Sequence, residues 1–332
     1  MMDQRFEQLK VWIEEVLGIR DADLSPASSD ASFRRYFRVQ NGQKTFVIMD
    51  APTDKEDCDP FIKISAAMDG FGLNVPRVLE KDLQQGFLLL SDLGSEQYLQ
   101  VLDDGSVDAL YADAITALVN LQVRSVDSEV VLPVYDHDLL MTEMSLFKDW
   151  LLARQLEINL NDEQNVALDN IFEWLAQQAL AQPQVWVHRD YHSRNLMRTE
   201  VDNPGVLDFQ DAVLGPLTYD LVSLLKDCYI SWPRQRVEAW LAGYHRQIKA
   251  AGLAAGIDQA QLLAWFDCMG VQRHLKAAGI FARLNIRDGK PGYLPDIPRT
   301  LAYITEAAEQ QPELEFLASL LRSEVLPRLL KG

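Results

Sequence analysis

Cysteine is scarce in this chain: 332 residues hold three, Cys58, Cys228 and Cys268, far apart from one another. No two have the spacing of a zinc-ligand set, and an odd number of distant thiols makes no disulfide framework. They read as packed side chains in a reducing compartment. Long apolar runs are also missing. No segment approaches the ~20 uninterrupted apolar residues that cross a bilayer, and Met1-Met2-Asp3-Gln4-Arg5-Phe6 does not lead into the hydrophobic stretch of a signal peptide. A soluble, cytoplasmic protein is expected. Basic residues are outnumbered, 31 Lys and Arg against 49 Asp and Glu, for a net charge of -18. Nucleic acid and anionic membranes would repel such a chain, so neither is an expected partner. Phosphate ligands are not excluded, because a metal and a few local cations hold them. Repeats and low-complexity tracts are absent. At 48% hydrophobic and 24% charged residues, the length suffices for a globular monomer with two lobes.

What the chain does have is His188-Arg189-Asp190-Tyr191-His192-Ser193-Arg194-Asn195, then Leu207-Asp208-Phe209-Gln210 a short hairpin later. The order Asp, Asn, Asp follows the catalytic and metal-binding segments of kinases, H-R-D-L-x-x-x-N and D-F-G. Phosphoryl transfer from ATP needs a carboxylate to orient a hydroxyl and accept its proton. It also needs hard oxygen ligands for the magnesium that neutralises the phosphates. Asp190 is the candidate base, and Asn195 and Asp208 are the candidate metal ligands. Strand-like Val185-Trp186-Val187 leads into the first segment and Gly205-Val206-Leu207 delivers the second, which separates the pattern from an ordinary polar turn.

Around these segments the hydrophobic period predicts a helix over Arg5 to Leu17, closed by Gly18, and strands over Ala31 to Val39 and Lys44 to Met49 turned at Asn41-Gly42. A helix over Phe61 to Phe71 and strands over Val75 to Leu79 and Gly86 to Leu90 complete a small mixed lobe. From Tyr98 the pattern is helical: Val107 to Val123, Leu139 to Leu156, Glu163 to Leu180, Arg234 to Ala251 and Gln259 to Leu284.

Gly215-Pro216-Leu217-Thr218-Tyr219-Asp220-Leu221, soon after the second Asp, resembles the G-P-x-x-x-D-L run of the aminoglycoside phosphotransferase and choline kinase superfamily. Val47-Ile48-Met49-Asp50-Ala51-Pro52, Gly86-Phe87-Leu88-Leu89-Leu90-Ser91-Asp92-Leu93-Gly94 and Arg287-Asp288-Gly289-Lys290 resemble, within it, the bacterial cell-wall recycling kinases. Those kinases phosphorylate N-acetylmuramate and N-acetylglucosamine at the anomeric hydroxyl. The resemblance covers nearly the whole chain. It implies an α+β, protein-kinase-like two-lobed fold, with a nucleotide-binding lobe over 1–93 and a larger, mainly helical catalytic and acceptor-binding lobe over 94–332. It implies ATP and magnesium as cofactors and a small amino-sugar substrate. It also implies a hinge at Ser91, Asp92 and Leu93 whose backbone meets adenine, a structural His188, and an Asp220 that steadies the catalytic loop from a helix N-terminus. A protein kinase is disfavoured, since no A-P-E segment follows Asp208. Another acceptor (an aminoglycoside, choline, homoserine or thiamine) and a nucleotide-binding pseudokinase are the alternatives.

Two departures from the kinase pattern bear on the phosphate side. In place of a Gly-rich loop stands Ser28-Ser29-Asp30-Ala31-Ser32-Phe33-Arg34-Arg35, where Ser29, Ser32 and Arg34 are candidate phosphate partners. Strand alternation sends Arg34 and Arg35 to opposite faces, so only one of them can meet the nucleotide. Where the third strand of a kinase carries a lysine this one has Met49, and with the lysine absent the helix glutamate that would pair with it is left unassigned, Glu56 included. On the acceptor side the candidates are His192, Arg194, Asp211 and Arg273. His192 either faces the sugar or satisfies a carbonyl, and Asp211 either meets the sugar or pairs with Arg194. Gln272, Arg273 and Lys276 either line the pocket or form a solvated helix face. A lactyl carboxylate on the acceptor would call for Arg273 or Arg194.

Overall fold

The computed structural model describes residues 4–28 and 33–330. Contacts divide the chain into two compact units. The first holds Met1–Asp113, Ser128–Val130 and Arg194–Asp211, and the second holds Ala114–Asp127, Val131–Ser193 and Ala212–Gly332.

The first unit is built on an antiparallel sheet of five strands, β1 (Ser25–Ser28), β2 (Arg35–Asn41), β3 (Lys44–Asp50), β4 (Val78–Asp82) and β5 (Phe87–Ser91), in the order β1-β2-β3-β5-β4. Helix α1 (Gln4–Leu17) covers one face. Its Leu9 and Ile13 share a core with Val39, Ile48, Phe87 and Leu89, the alternate residues of β2, β3 and β5. Helix α2 (Asp59–Gly70) adds Phe61, whose ring lies 4.9 Å from that of Phe209. Gly86, at φ 72°, turns the chain into β5 so close to β3 that a Cβ there would sit 2.0 Å from the Ala51 carbonyl oxygen.

Three strands differ from the sequence reading: the one expected over Ala31 to Val39 runs instead over Arg35–Asn41, residues 31 and 32 lying outside the described ones. Edge strand β1 was not expected, because Ser-Pro-Ala-Ser has no alternation and Pro26 suits only an edge. The strand expected from Val75 starts instead at Val78, since Pro76 has no amide to give to a ladder.

The second unit is mainly helical, with α5 (His137–Leu146), α6 (Asp162–Leu180), α7 (Tyr219–Leu225), α8 (Arg234–Ala250), α9 (Gln259–Asp288) and α10 (Ile297–Ala307). Two further helices precede these in the chain, α3 (Tyr98–Val101) and α4 (Val107–Arg124). Helix α9 is the hub and packs on α5, α6, α7 and α10. After Leu146 the expected long helix continues as a π-helical stretch, Phe147–Gln155. Gly279 of α9 meets it there so closely that a Cβ would lie 2.4 Å from the Leu146 carbonyl carbon. The antiparallel pairs β6 (Gln184–Val187) with β9 (Val213–Pro216), in the second unit, and β7 (Leu196–Met197) with β8 (Gly205–Val206), in the first, carry the functional segments. Among the described residues no helix is long and apolar enough to cross a membrane.

Arg38 of β2 grips the segment after β5. Its Nε and Nη2 donate to the two oxygens of Asp92 at 2.7 and 2.9 Å, and Nη2 also reaches the Gly94 carbonyl at 2.7 Å. Burial opposes ionisation of Asp92, but the hydrogen bonds from Arg38 and Thr45 outweigh it and hold the carboxyl below its usual range. A depressed carboxyl stabilises the fold above its unfolded value and loses that contribution as pH falls through the folded one. Asp92→Asn is therefore expected to lower Tm at pH 7, with the gap from the unsubstituted protein closing as pH drops below the ordinary aspartate value of 3.8. A gap independent of pH in a thermal-melt series would refute this role.

Candidate active site

The catalytic loop leaves β6 at His188 and is held from α7. The buried Asp220 carboxylate accepts the His188 amide at 2.6 Å and the Arg189 amide at 3.0 Å. Arg189 sits at φ 77°, a conformation that costs a non-glycine residue about 1–3 kcal/mol and persists only where neighbours enforce it. Burial pushes the Asp220 carboxyl up to about 6, while His188 and the two amides pull the other way. Fully buried His188 accepts the Asp190 amide on Nδ1 at 3.2 Å. Asp227 fixes the far end of the loop through the amide of Ser193 at 2.9 Å and also takes its hydroxyl.

Beneath the loop lies a buried charge network. Glu143 of α5 receives Arg189 at 2.7 Å and Lys276 of α9 at 2.9 Å, along with the Tyr135 hydroxyl. Lys276 also reaches the Tyr219 hydroxyl at 3.0 Å, and Gln272 reaches that of Tyr135 at 3.1 Å. Gln272, Arg273 and Lys276 are all buried, so this stretch of α9 is not a solvated face. Burial would raise the Glu143 carboxyl, but Lys276 and Arg189 outweigh it and keep the group ionised.

The Asp190 side chain is 48% exposed. Partial burial pushes its carboxyl up, and neighbouring cations, Lys276 foremost and Arg273 with it, more than offset this, holding it below the ordinary value. His192 Nε2 lies 4.0 Å from the Asp190 carboxylate, and its ring stands edge-on to Tyr229 at 5.3 Å. Its Nδ1 is buried without a hydrogen-bond partner, so the ring does not take up a carbonyl there. Burial lowers its pKa and leaves the ring neutral at pH 7. Arg273 is buried with one weak contact from Nη1 to the Cys228 sulfur at 3.6 Å, and its Nε has no partner.

In the first unit the β7–β8 hairpin brings the two candidate metal ligands together. Asn195 Nδ2 lies 3.3 Å from Asp208 Oδ2, and the Leu207 amide donates to the Asn195 carbonyl at 2.9 Å. Gln210 Nε2 donates to Asp208 Oδ1 at 2.8 Å, and its Oε1 is buried without a partner. A carboxylate, a side-chain amide and an orphaned acceptor oxygen form a hard donor set that suits magnesium, which takes few protein oxygens and completes its shell with phosphate and water.

The remaining sequence candidates divide as follows. Ser29 and Ser32 lie outside the described residues. Arg34 is ion-paired with Glu56 at 2.9 Å, whereas Arg35 turns to Asp50. The Ser91 hydroxyl accepts the Arg77 amide at 2.9 Å, Asp92 is held by Arg38, and Leu93 lies against Gly205. These three border an open cavity of about 470 Å³ that Asn74 and Arg198 also line. Arg194 is half-buried and Asp211 is exposed.

The sequence reading missed Glu143 and Asp227. Glu143 left a signal, an acid among the buried Leu140, Met144 and Phe147 of one helix face. Asp227 left none.

The sequence pattern of the family described as "Phosphotransferase enzyme family" matches residues 23–263. This chain belongs to that family. It is 49% identical over 331 residues to a protein of Pseudomonas aeruginosa named N-acetylmuramate/N-acetylglucosamine kinase, covering 97% of both chains. A protein of the same name from Neisseria meningitidis is 44% identical, with 96% of this chain and 95% of the relative covered. Among solved structures, the choline kinase LicA of Streptococcus pneumoniae aligns with TM-score 0.61 at 12% identity, covering 90% of this chain and 98% of that one. An ADP-bound aminoglycoside phosphotransferase aligns with TM-score 0.59 at 16% identity, covering 91% and 98%. The fold is therefore the protein-kinase-like α+β fold of this family.

Asp220→Ala would strip two buried amides of a charged acceptor. A loss of about 3 kcal/mol or more is expected, read as a lower urea midpoint, together with loss of turnover. An unchanged midpoint would remove Asp220 as the anchor of the loop.

Proposed function

We propose that this protein is an ATP- and magnesium-dependent kinase that phosphorylates the anomeric hydroxyl of N-acetylmuramate and N-acetylglucosamine, giving the α-1-phosphate in peptidoglycan recycling. The observation that carries the reading is 44–49% identity over nearly the full length to kinases of that name, and the sequence order of Asp190, Asn195 and Asp208 supports it. Residues 1–93 would form the nucleotide-binding lobe, with the backbone of Ser91, Asp92 and Leu93 at adenine, and 94–332 the catalytic and acceptor lobe. Three buried free thiols fit a cytoplasmic protein, and we take it as a monomer.

Asp190 orients the attacking hydroxyl and then accepts its proton. Its depressed pKa keeps it a carboxylate at neutral pH, suited to positioning first and proton acceptance second. Asn195 and Asp208 would hold the magnesium, which supplies charge neutralisation at the phosphates. On the acceptor side, His192 and Arg273 flank Asp190, with Arg194 and Asp211 as further contacts. A buried guanidinium with no carboxylate bonded to it suits the lactyl acid of N-acetylmuramate.

The first test is ADP release against N-acetylmuramate, N-acetylglucosamine, choline, homoserine and an aminoglycoside, with phosphorus NMR of the product. Turnover confined to the two N-acetyl sugars is expected; turnover on another acceptor overturns the substrate. Asp190→Asn should lower kcat by roughly 10²–10⁴-fold with little change in nucleotide affinity, and retained turnover would exclude Asp190 as base. Asp208→Asn should also weaken magnesium-nucleotide binding. With Asp190 ionised and His192 neutral, turnover should show no limb near the ordinary histidine value of 6.5. A limb there that disappears in His192→Asn would transfer the base to His192.

A further inference from the structure

Lys276 and Arg283 stand two helical turns apart on α9, with Ile280 between them. At that spacing they fall on nearly the same side of the helix, about 10 Å from each other along its axis. The far face of α9, with Val271, Leu275, Ala278 and Ala282, is buried. Ala277, Ile280, Arg283 and Leu284 instead keep part of their surface exposed, so a strip of the helix stays open. Its inner end is Lys276, bonded to Glu143 at 2.9 Å and foremost among the cations acting on Asp190. Its outer end carries Arg283.

The two arginines near the end of α9 differ in their partners. Arg287 donates from Nε and Nη2 to the two oxygens of Asp288, at 2.7 and 2.9 Å. Arg283 pairs with no carboxylate among the described residues, and its Nε is buried without a hydrogen-bond partner. Burial and the like charge of Arg287 both push its pKa down, and Asp288 offsets only part of this. A partly desolvated guanidinium left unpaired costs the fold free energy, so a ligand acid is the better account of it. Arg273 also lacks a bonded carboxylate, but its charge bears on Asp190 itself. Every acceptor hydroxyl placed at Asp190 meets that charge. Arg283, farther out, would meet only what an acceptor carries beyond its reacting carbon.

We propose that Arg283 binds the carboxylate that N-acetylmuramate carries and N-acetylglucosamine lacks, and so sets the preference between the two acceptors. This deepens the kinase reading above and rests on it. The acid is joined through an ether to the ring carbon two places from the anomeric one, so it stands across the sugar from the hydroxyl at Asp190. Side chains on a helix lean toward its N-terminus, which brings the Arg283 guanidinium back toward Lys276 and shortens the span the sugar must bridge. Ala277 and Ile280 lie along that span and offer it a small apolar floor. A planar guanidinium then meets the carboxylate through two parallel hydrogen bonds.

The test is steady-state turnover of the full-length protein, with magnesium and ATP, on N-acetylmuramate, its methyl ester and N-acetylglucosamine. Arg283→Gln should raise the KM for N-acetylmuramate by roughly 10- to 100-fold, as loss of a hydrogen bond between charged groups predicts. The KM values for N-acetylglucosamine and for ATP should stay where they were. The methyl ester, which has no charge, should not respond to the substitution. Arg283→Lys should keep part of the preference, and added salt should raise the KM for N-acetylmuramate alone. A wild-type KM for N-acetylmuramate in Arg283→Gln would overturn the proposal. So would an equal rise for both sugars, which is what a merely structural role produces. Selective loss of N-acetylmuramate in Arg273→Gln, with none in Arg283→Gln, would give the acid to Arg273. Turnover of neither sugar by the unsubstituted protein would instead sink the kinase reading.

Discussion

Two backbone amides end on one buried carboxylate, and the catalytic loop depends on that junction. Asp220 accepts from His188 and Arg189, and in doing so holds Arg189 in a left-handed conformation that its side chain would otherwise disfavour. The turn at Arg189 presents Asp190, while Asp227 fixes Ser193 at the other end. The loop is thus specified by hydrogen bonds from α7 and the segment after it, and by the burial of its own His188, Tyr191 and Ser193. Such a loop can carry a half-exposed carboxylate without collapsing around it.

The same loop is electrically tuned from below. Buried Glu143 draws Arg189 and Lys276 together, and the cations gathered near it lower the Asp190 pKa. A buried acid and a buried lysine would each be costly alone; as a hydrogen-bonded set they are tolerated. This is why the middle of α9 is polar and buried at once, a combination that composition alone would assign to a solvated face.

In the first unit the arginines are divided among three acids. Asp50 gathers Arg5 and Arg35, and Glu56 holds Arg34. The Arg38–Asp92 pair ties β2 to the segment that follows β5. These three acidic partners commit four arginines that a count of net charge could only average.

The sequence by itself determined the family, whose pattern matches residues 23–263. Asp190, Asn195 and Asp208 stand out as candidates because they follow one another in a nearly fixed local order, and local order is what a sequence displays. It also determined most elements, since the 3.6- and 2-residue periods of α1, β2, β3 and α9 follow from burying one face. The tertiary structure decided the partners. Glu143 with Lys276, Asp227 with Ser193 and Glu56 with Arg34 are joined across distant or offset segments, and no period links them. Whether a charged residue on a helix faces water or a buried counter-ion depends on which element covers it, and only the packed chain supplies that.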